Sequence, residues 1–290
     1  MKGIILAGGG GTRLYPITHA ISKQLLPVYD KPMIYYPLDV LLKAGINDIL
    51  IISTKDDTPR FMQLLEGGDE LGIHLEYRIQ PSPNGLAEAF IIGERFVGDD
   101  DVCLILGDNI FFGSHLEESL KNIQSNSIIK DGGAVLYAHK VKDPERFGVV
   151  EFDSDFNALS IEEKPLKPKS NWAVTGLYFY ANTVLKKAKT LKPSKRGELE
   201  ITDLNNLFLN EGKVSVVPLP ESVSWLDAGT HESLLRAGVE VEKAERASGH
   251  KIACIEETCY KNGWIDKETL LKTASGMPNQ YGDYLRNVSD

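Results

Sequence analysis

The sequence predicts an α/β fold in which a mixed, mostly parallel sheet carries helices on both faces. Two observations lead there. Apolar runs and amphipathic stretches alternate through the first half of the chain, which is the rhythm of repeated strand–helix units. The first run, Gly3-Ile4-Ile5-Leu6-Ala7, is too short for a helix, suits a buried parallel strand, and ends in Gly8-Gly9-Gly10-Gly11-Thr12-Arg13. Right-handed crossovers put the loops that follow such strands along one edge of the sheet, and ligands bind there.

The remaining elements follow in order. A helix is expected from Pro32 to Gly45, because proline suits a first turn and glycine a stop. Asp48 to Ser53 reads as a strand. Thr58-Pro59 opens a helix closed by Gly67-Gly68. Leu75 to Ile79 is a short strand, Gly85 to Phe96 a helix, and Val102 to Leu106 a buried strand that runs into Gly107-Asp108-Asn109. Beyond Gly132 the connections shorten, and Ala134 to His139, Gly148 to Phe152, Leu159 to Glu162 and Gly176 to Ala181 read as strands of a mixed region. Thr230 to Ser248 is a long amphipathic helix, and the remainder, with Trp264, Tyr281 and Tyr284, a small helical tail.

Bulk properties narrow the function. The 290 residues suffice for one large α/β domain with an appended subdomain, and 42% hydrophobic with 25% charged residues is ordinary for a globular chain. A net charge of −9 argues against a surface that coats nucleic acid, so affinity for phosphate has to come from local cations. Cys103, Cys254 and Cys259 are an odd count that fits a reducing cytoplasm better than a disulfide framework, and no second ligand pair accompanies Cys254 and Cys259 to make a zinc site. No signal peptide or bilayer-spanning stretch is expected.

The glycine loop reads as a phosphate cradle. Glycines leave no Cβ between backbone N–H groups and an anion, and Arg13 adds a planar fork of donors matched to phosphate oxygens. It is not a Walker A loop, since Gly9 and Gly10 stand where Lys and Ser/Thr belong. It also breaks the dinucleotide fingerprint that Gly8 and Gly10 begin, because Arg13 replaces the glycine that lets helix and strand pack closely. Asp30 falls near the position of a ribose-binding acid but lies in the turn-like Val28-Tyr29-Asp30-Lys31-Pro32.

Further motifs follow the loop in order: Lys23; Gln80-Pro81-Ser82-Pro83-Asn84-Gly85-Leu86-Ala87; Leu106-Gly107-Asp108-Asn109; Glu162-Glu163-Lys164-Pro165; Ala173-Val174-Thr175-Gly176-Leu177-Tyr178; Arg196-Gly197-Glu198-Leu199-Glu200-Ile201-Thr202-Asp203; and Trp225-Leu226-Asp227-Ala228-Gly229-Thr230. Together they resemble the sugar-1-phosphate nucleotidyltransferases over nearly the whole chain, and among those the enzymes that turn dTTP and glucose 1-phosphate into dTDP-glucose and pyrophosphate. The resemblance implies a Rossmann-like sheet with sugar-binding insertions. It implies a core over 1–240, with a nucleotide part to about 130 and a sugar-phosphate part over about 131–230, and a tail over 241–290 for oligomer or regulatory contacts.

The chemistry is attack of one phosphate on another, so positioning and electrostatics dominate, and the attacking oxygen is already ionised at neutral pH. By resemblance Arg13, Lys23 and Lys164 are catalytic cations. Leu6, Gly8, Gly9, Gly10, Gly11, Thr12, Arg13, Gln80, Pro83, Gly85 and Asp108 bind the nucleotide, with Gln80 and Gly85 reading the base. Asn109, Gly148, Glu163, Lys164, Val174, Tyr178 and Arg196 take the sugar phosphate, and Asp108 and Asp227 hold Mg²⁺. A cytoplasmic homotetramer is expected, with no nucleic-acid or membrane partner. Feedback by dTDP-L-rhamnose is expected at a second site near Phe112-Gly113-Ser114-His115 and Cys254 to Lys261. Lys31, Glu198, Glu200 and Asp203 lie in matching motifs without a separate role.

Three alternatives stay open at this level. The same chemistry can use another pair of substrates, such as UTP with glucose 1-phosphate or CTP with a different sugar phosphate. A catalytically silent sugar-nucleotide sensor can share the fold, although such a protein could lose Arg13, Lys23, Asp108 or Asp227 and all four are present. An NAD-binding oxidoreductase is third, against which Arg13 counts.

Overall fold

The computed structural model describes residues 1–121 and 123–288. Its strands are β1 (Lys2–Leu6), β2 (Pro27–Val28), β3 (Lys31–Pro32), β4 (Asp48–Ser53), β5 (His74–Ile79), β6 (Val102–Leu106), β7 (Asn109–Gly113), β8 (Ala134–Lys140), β9 (Gly148–Phe152), β10 (Ala158–Glu163), β11 (Trp172–Tyr180), β12 (Val214–Pro218) and β13 (Val223–Asp227). The helices are α1 (Tyr35–Lys43), α2 (Thr58–Leu65), α3 (Glu88–Ile92), α4 (Glu94–Val97), α5 (Leu116–Leu120), α6 (Ser127–Lys130), α7 (Val184–Ala188), α8 (Ile201–Leu209), α9 (His231–Ser248), α10 (Ile255–Lys261), α11 (Lys267–Ser275) and α12 (Gln280–Val288).

The main sheet runs β10-β9-β11-β6-β1-β4-β5, with β8 and β12 added alongside β11. Strands β5, β4, β1 and β6 are mutually parallel, and β11 joins them antiparallel through β6. The sheet is therefore mixed, as expected, with the regular strand–helix rhythm confined to its parallel half.

Helices cover both faces. Ile5, Ile49, Ile51 and Ile105 point into a core with α1 and the C-terminal helices, whereas Ile4, Leu6, Leu50, Ile52 and Leu104 point into a second core with α3, α7 and α8. Burial on both sides explains why these strands read as continuous apolar runs rather than alternating ones.

Several boundaries move. The helix expected from Pro32 starts at Tyr35, because Pro32 pairs with Pro27 in the β2–β3 hairpin. The helix expected over 85–96 begins only at Glu88 and breaks at Gly93, which packs so closely on Ile4 and Leu50 that a Cβ there would lie 2.9 Å from Ile4 Cδ1. The β7–β13 ribbon, a separate two-stranded sheet, was not anticipated. The expected division at 240 falls inside α9, and residues 289–290 of the expected tail lie outside the described residues. Among the described residues no helix is long and apolar enough to cross a membrane.

Candidate active site

The loop after β1 owes its path to two glycines. Gly9 at φ +119° and Gly11 at φ +55° occupy the left-handed region that side-chain-bearing residues rarely adopt. The Thr18 hydroxyl donates to the Gly11 carbonyl at 2.7 Å, which pins the loop where it turns into the short Thr12–Leu14 helix. Leu14 is buried as the anchor and Arg13 is left exposed.

Arg13 faces a cleft of about 450 Å³ that also holds Lys23, Asp108, Tyr178, Arg196 and Asp227. Asp108 arrives at the end of β6, as its position after a buried strand suggested. Asp227 arrives by a route with no local sign in the sequence, since β13 pairs antiparallel with β7 and sets Asp227 opposite Asn109. The Ala228 N–H donates to the Asp108 carbonyl at 3.2 Å, tying the two aspartate loops together.

The charges here are not balanced. Burial pushes the Asp108 carboxyl up, but the adjoining Lys23 ammonium, which hydrogen-bonds it, and the Asn109 amide at 3.1 Å hold it below the usual carboxylate range. Asp227 goes the other way. Burial and the charge of Asp108 raise it, against weaker pulls from Lys23, Arg146 and Arg13. Two half-buried carboxylates, one of which raises the other's proton affinity, suit a divalent cation, and hard oxygen donors are what Mg²⁺ prefers. Among the described residues no group of three or more acids, histidines or cysteines forms an all-protein metal cage.

Asn109 has a structural task beside the expected one. It is 4% exposed, and its Oδ1 accepts from Trp225 Nε1 at 2.6 Å and from the Gly176 N–H at 3.0 Å. Its Nδ2 donates to Asp108. Its Oδ1 joins β7, β11 and β13 and one Nδ2 hydrogen orients Asp108, which leaves the second Nδ2 hydrogen of this cleft-lining residue for the expected sugar hydroxyl. A Cβ on Gly176 would meet this side chain at 2.6 Å, so glycine is required there.

Gln80 and Gly85 also acquire new reasons. Gln80 Nε2 donates to the Gly85 carbonyl at 3.2 Å and to Glu88 Oε2 at 2.8 Å, which uses both amide hydrogens. Only Oε1 remains, as an acceptor, and it abuts Gly8, whose added Cβ would lie 2.9 Å away. Gly85, at φ +107°, leaves room for the Leu199 backbone, because a Cβ would come within 2.4 Å of the Leu199 carbonyl oxygen. Pro83 is exposed on this loop, and Leu6 is buried with its carbonyl accepting from the Gly107 N–H.

Gly148 and Glu163 pair across β9 and β10, and Glu163 accepts from the Thr202 hydroxyl at 2.7 Å. Lys164 is half-exposed and held by its N–H on the Phe147 carbonyl at 2.9 Å. Phe147, Val174 and Tyr178 line the cleft itself. Burial above all, with the charges of Glu163 and Asp108, keeps the Tyr178 phenol protonated. Arg196 is forked onto Glu200, with Nη2 to Oε2 at 2.8 Å and Nε to Oε1 at 3.2 Å, so Glu200 is its orienting partner. Gly8, Gly9, Gly10, Gln80, Gly85, Glu163 and Lys164 are not among the residues that line the cleft. Phe147 and Trp225 line the cleft without having been expected there, and Glu198 and Glu200, which lie in a motif without an expected role, line it and orient Arg196 respectively.

The profile of the nucleotidyl transferase family matches residues 2–244, which is most of the chain and all of this cleft. The chain belongs to that family. As a nucleotidyltransferase it is an enzyme, and its relatives are alike over their full length. It is 57% identical over 286 residues to the glucose-1-phosphate thymidylyltransferase of Neisseria meningitidis, covering 98% of each chain. It is 53% identical to that of Mycobacterium tuberculosis, again over 98% of each. A solved Bacillus anthracis structure, described as a glucose-1-phosphate thymidylyltransferase in complex with sucrose, shares 44% identity. The match has a TM-score of 0.75 and covers 83% of this chain and 94% of that one.

Proposed function

We propose that this nucleotidyltransferase makes dTDP-glucose and pyrophosphate from dTTP and α-D-glucose 1-phosphate. The observation that carries the reading is the convergence of Arg13, Lys23, Asp108 and Asp227 on one cleft. An oxygen of the sugar phosphate attacks the α-phosphorus. The bond from that phosphorus to the bridging oxygen breaks, and pyrophosphate leaves with the electron pair. No proton moves, which agrees with the absence of histidine from the residues lining the cleft.

Arg13 and the glycine-loop N–H groups take the β- and γ-phosphates and the leaving pyrophosphate, and Lys23 takes the α-phosphate. Asp108 and Asp227 would hold Mg²⁺, which when bound neutralises phosphate charge. Gln80 Oε1, its only uncommitted atom, accepts from a base N–H; thymine and uracil carry one at N3 and cytosine does not. Leu6, Gly85 and Pro83 complete the base side through the main chain. Asn109, Glu163, Gly148 and Val174 hold the hexose, and Lys164, Arg196 and Tyr178 its phosphate. The division into a nucleotide part to about 130 and a sugar part to about 230 belongs to the same reading.

That reading extends to a cytoplasmic homotetramer with feedback by dTDP-L-rhamnose. Support for a second site is a cleft of about 290 Å³ lined by Lys43, His250, Lys251, Cys254, Glu257 and Lys261 among others. Phe112 to His115 are not among its lining residues. The deciding experiment is pyrophosphate release with Mg²⁺ and glucose 1-phosphate, comparing dTTP with UTP, CTP, ATP and GTP. Fastest release with dTTP, none without sugar phosphate, is expected. Faster release with CTP would overturn the role given to Gln80, and none with any nucleotide would overturn catalysis.

A further inference from the structure

Lys31 is a lysine almost without exposure, at 3%, in a two-residue strand remote from the cleft lining. Burying an ammonium requires full compensation. Lys31 has it. Its Nζ bonds Asp30 Oδ1 and Glu245 Oε1, the latter at 3.0 Å. Lys251 Nζ bonds the other oxygen of each acid, Asp30 Oδ2 and Glu245 Oε2, the latter at 3.2 Å. Two ammoniums and two carboxylates thus close a neutral ring. Tyr281 of α12 covers it, with its ring centroid 6.0 Å from Lys31 Nζ and 5.3 Å from Lys251 Nζ. The Ile252 N–H adds a bond to Glu245 at 2.8 Å.

The ring joins the β2–β3 hairpin to the end of α9 and to the last helix. The same hairpin is the frame of the Lys23 segment. Met33 N–H donates to the Leu26 carbonyl and Ile34 N–H to the Gln24 carbonyl, each at 2.9 Å. Gln24 is itself buried, takes a bond from the Ser22 hydroxyl at 2.6 Å, and packs against Gly107, next to Asp108. The Leu26 N–H in turn donates to the Lys23 carbonyl at 3.0 Å, so the backbone bonds of the hairpin reach the residue that meets Asp108.

We propose that Lys31 is a positioning residue for catalysis: the buried ring it closes with Asp30, Glu245 and Lys251 anchors the hairpin that holds Lys23 against Asp108. The proposal rests on the reading of Lys23 as a catalytic cation. An apolar cluster that includes Val28, Met33, Tyr36, Ala237 and Val241 also packs hairpin and α9 together. The fold therefore survives loss of the ring, while the exact seat of the hairpin does not.

The test uses the full chain in two variants, Lys31→Met/Glu245→Gln, which stays neutral and keeps side-chain volume, and Lys251→Met. Amide hydrogen exchange is measured over residues 22–34, with β1 and β4 as internal reference, beside kcat and the KM for each substrate. In the double variant exchange over 22–34 is expected to quicken at least about tenfold while the reference strands stay unchanged. The kcat is expected to fall about tenfold with the KM for the sugar phosphate unchanged, because its pocket lies on β9–β11. Lys251→Met shifts both in the same direction and less. Unaltered exchange overturns the anchor, whatever reaction the enzyme performs. Faster exchange with unaltered kcat overturns the positioning role and leaves a structural one. Should the unmodified protein release no pyrophosphate with any nucleotide, the functional reading fails, and with it the catalytic part of this proposal.

Discussion

Lys23 and Lys31 each set an ammonium against an aspartate, and the two pairs serve opposite ends. Around Lys31 every charge is answered within the chain, and the Lys251 and Lys31 bonds hold the Asp30 carboxyl below its ordinary range despite burial. Around Lys23 the account stays open. Asp108 is answered, but Asp227 is left with a raised carboxyl, and Arg13 reaches into the cleft. The same residue types thus build a closed cluster that anchors the β2–β3 hairpin and an unbalanced one that is proposed to take phosphates and a cation. Self-compensation, rather than burial or residue type, separates the anchoring cluster from the proposed binding one.

The comparison breaks most visibly in the cleft. Arg13→Ala or Asp108→Asn should lower kcat by about a thousandfold, the scale of losing a transition-state donor, with native circular dichroism. A loss of fold in parallel with activity would make the cleft charges structural after all. Next in size is the closed ring. Glu245→Ala leaves Asp30 as the one carboxylate of the ring between the Lys31 and Lys251 ammoniums and should cost about 3 kcal/mol in urea unfolding, with little change in the KM for nucleotide.

Asp227 gives a smaller effect of the opposite sign. Its raised carboxyl means the folded chain binds that proton more tightly than the unfolded chain, so ionised Asp227 costs stability near neutral pH. Asp227→Asn should therefore raise Tm in cation-free protein by on the order of 2 °C. The gap should close as pH falls through the raised range. Asp30, lowered, contributes stability that is present above the unfolded carboxylate range and lost as pH falls through its folded value. Acid titration of Tm in the two variants Asp227→Asn and Asp30→Asn thus gives trends of opposite sign. The smallest effect belongs to the exposed pair Arg236–Glu240 on α9. There Arg236→Ala should alter stability by less than about 0.5 kcal/mol, and a larger change would show that exposed pairs count here as buried ones do.

Much of this was legible beforehand. Strands β4, β6 and β9 fall on their expected residues, because a buried strand bounded by glycine or aspartate is a local signal. The glycine loop and Asp108 were expected to share a cleft edge, since parallel strands end together, and they do. Less visible was what each side chain does on arrival. Gln80 and Asn109 look alike as polar residues beside a site, but Gln80 keeps a free acceptor and Asn109 an amide hydrogen. That difference rests on Glu88, Gly85, Trp225 and Gly176, the last two of which are remote from Asn109 in sequence and on other strands.

By itself the sequence determined the parallel half of the sheet, the shared cleft edge of the glycine loop and Asp108, and the family. These are encoded in runs of neighbouring residues, where hydrophobic period and backbone freedom act over one or two turns. Only the tertiary structure decided that β13 lies beside β7 and brings Asp227 to Asp108, and that α9 and α12 close over Lys31. Both depend on pairing between distant segments, whose free energy comes from burial and from charges meeting across the fold. No short window of sequence contains both partners of such a contact.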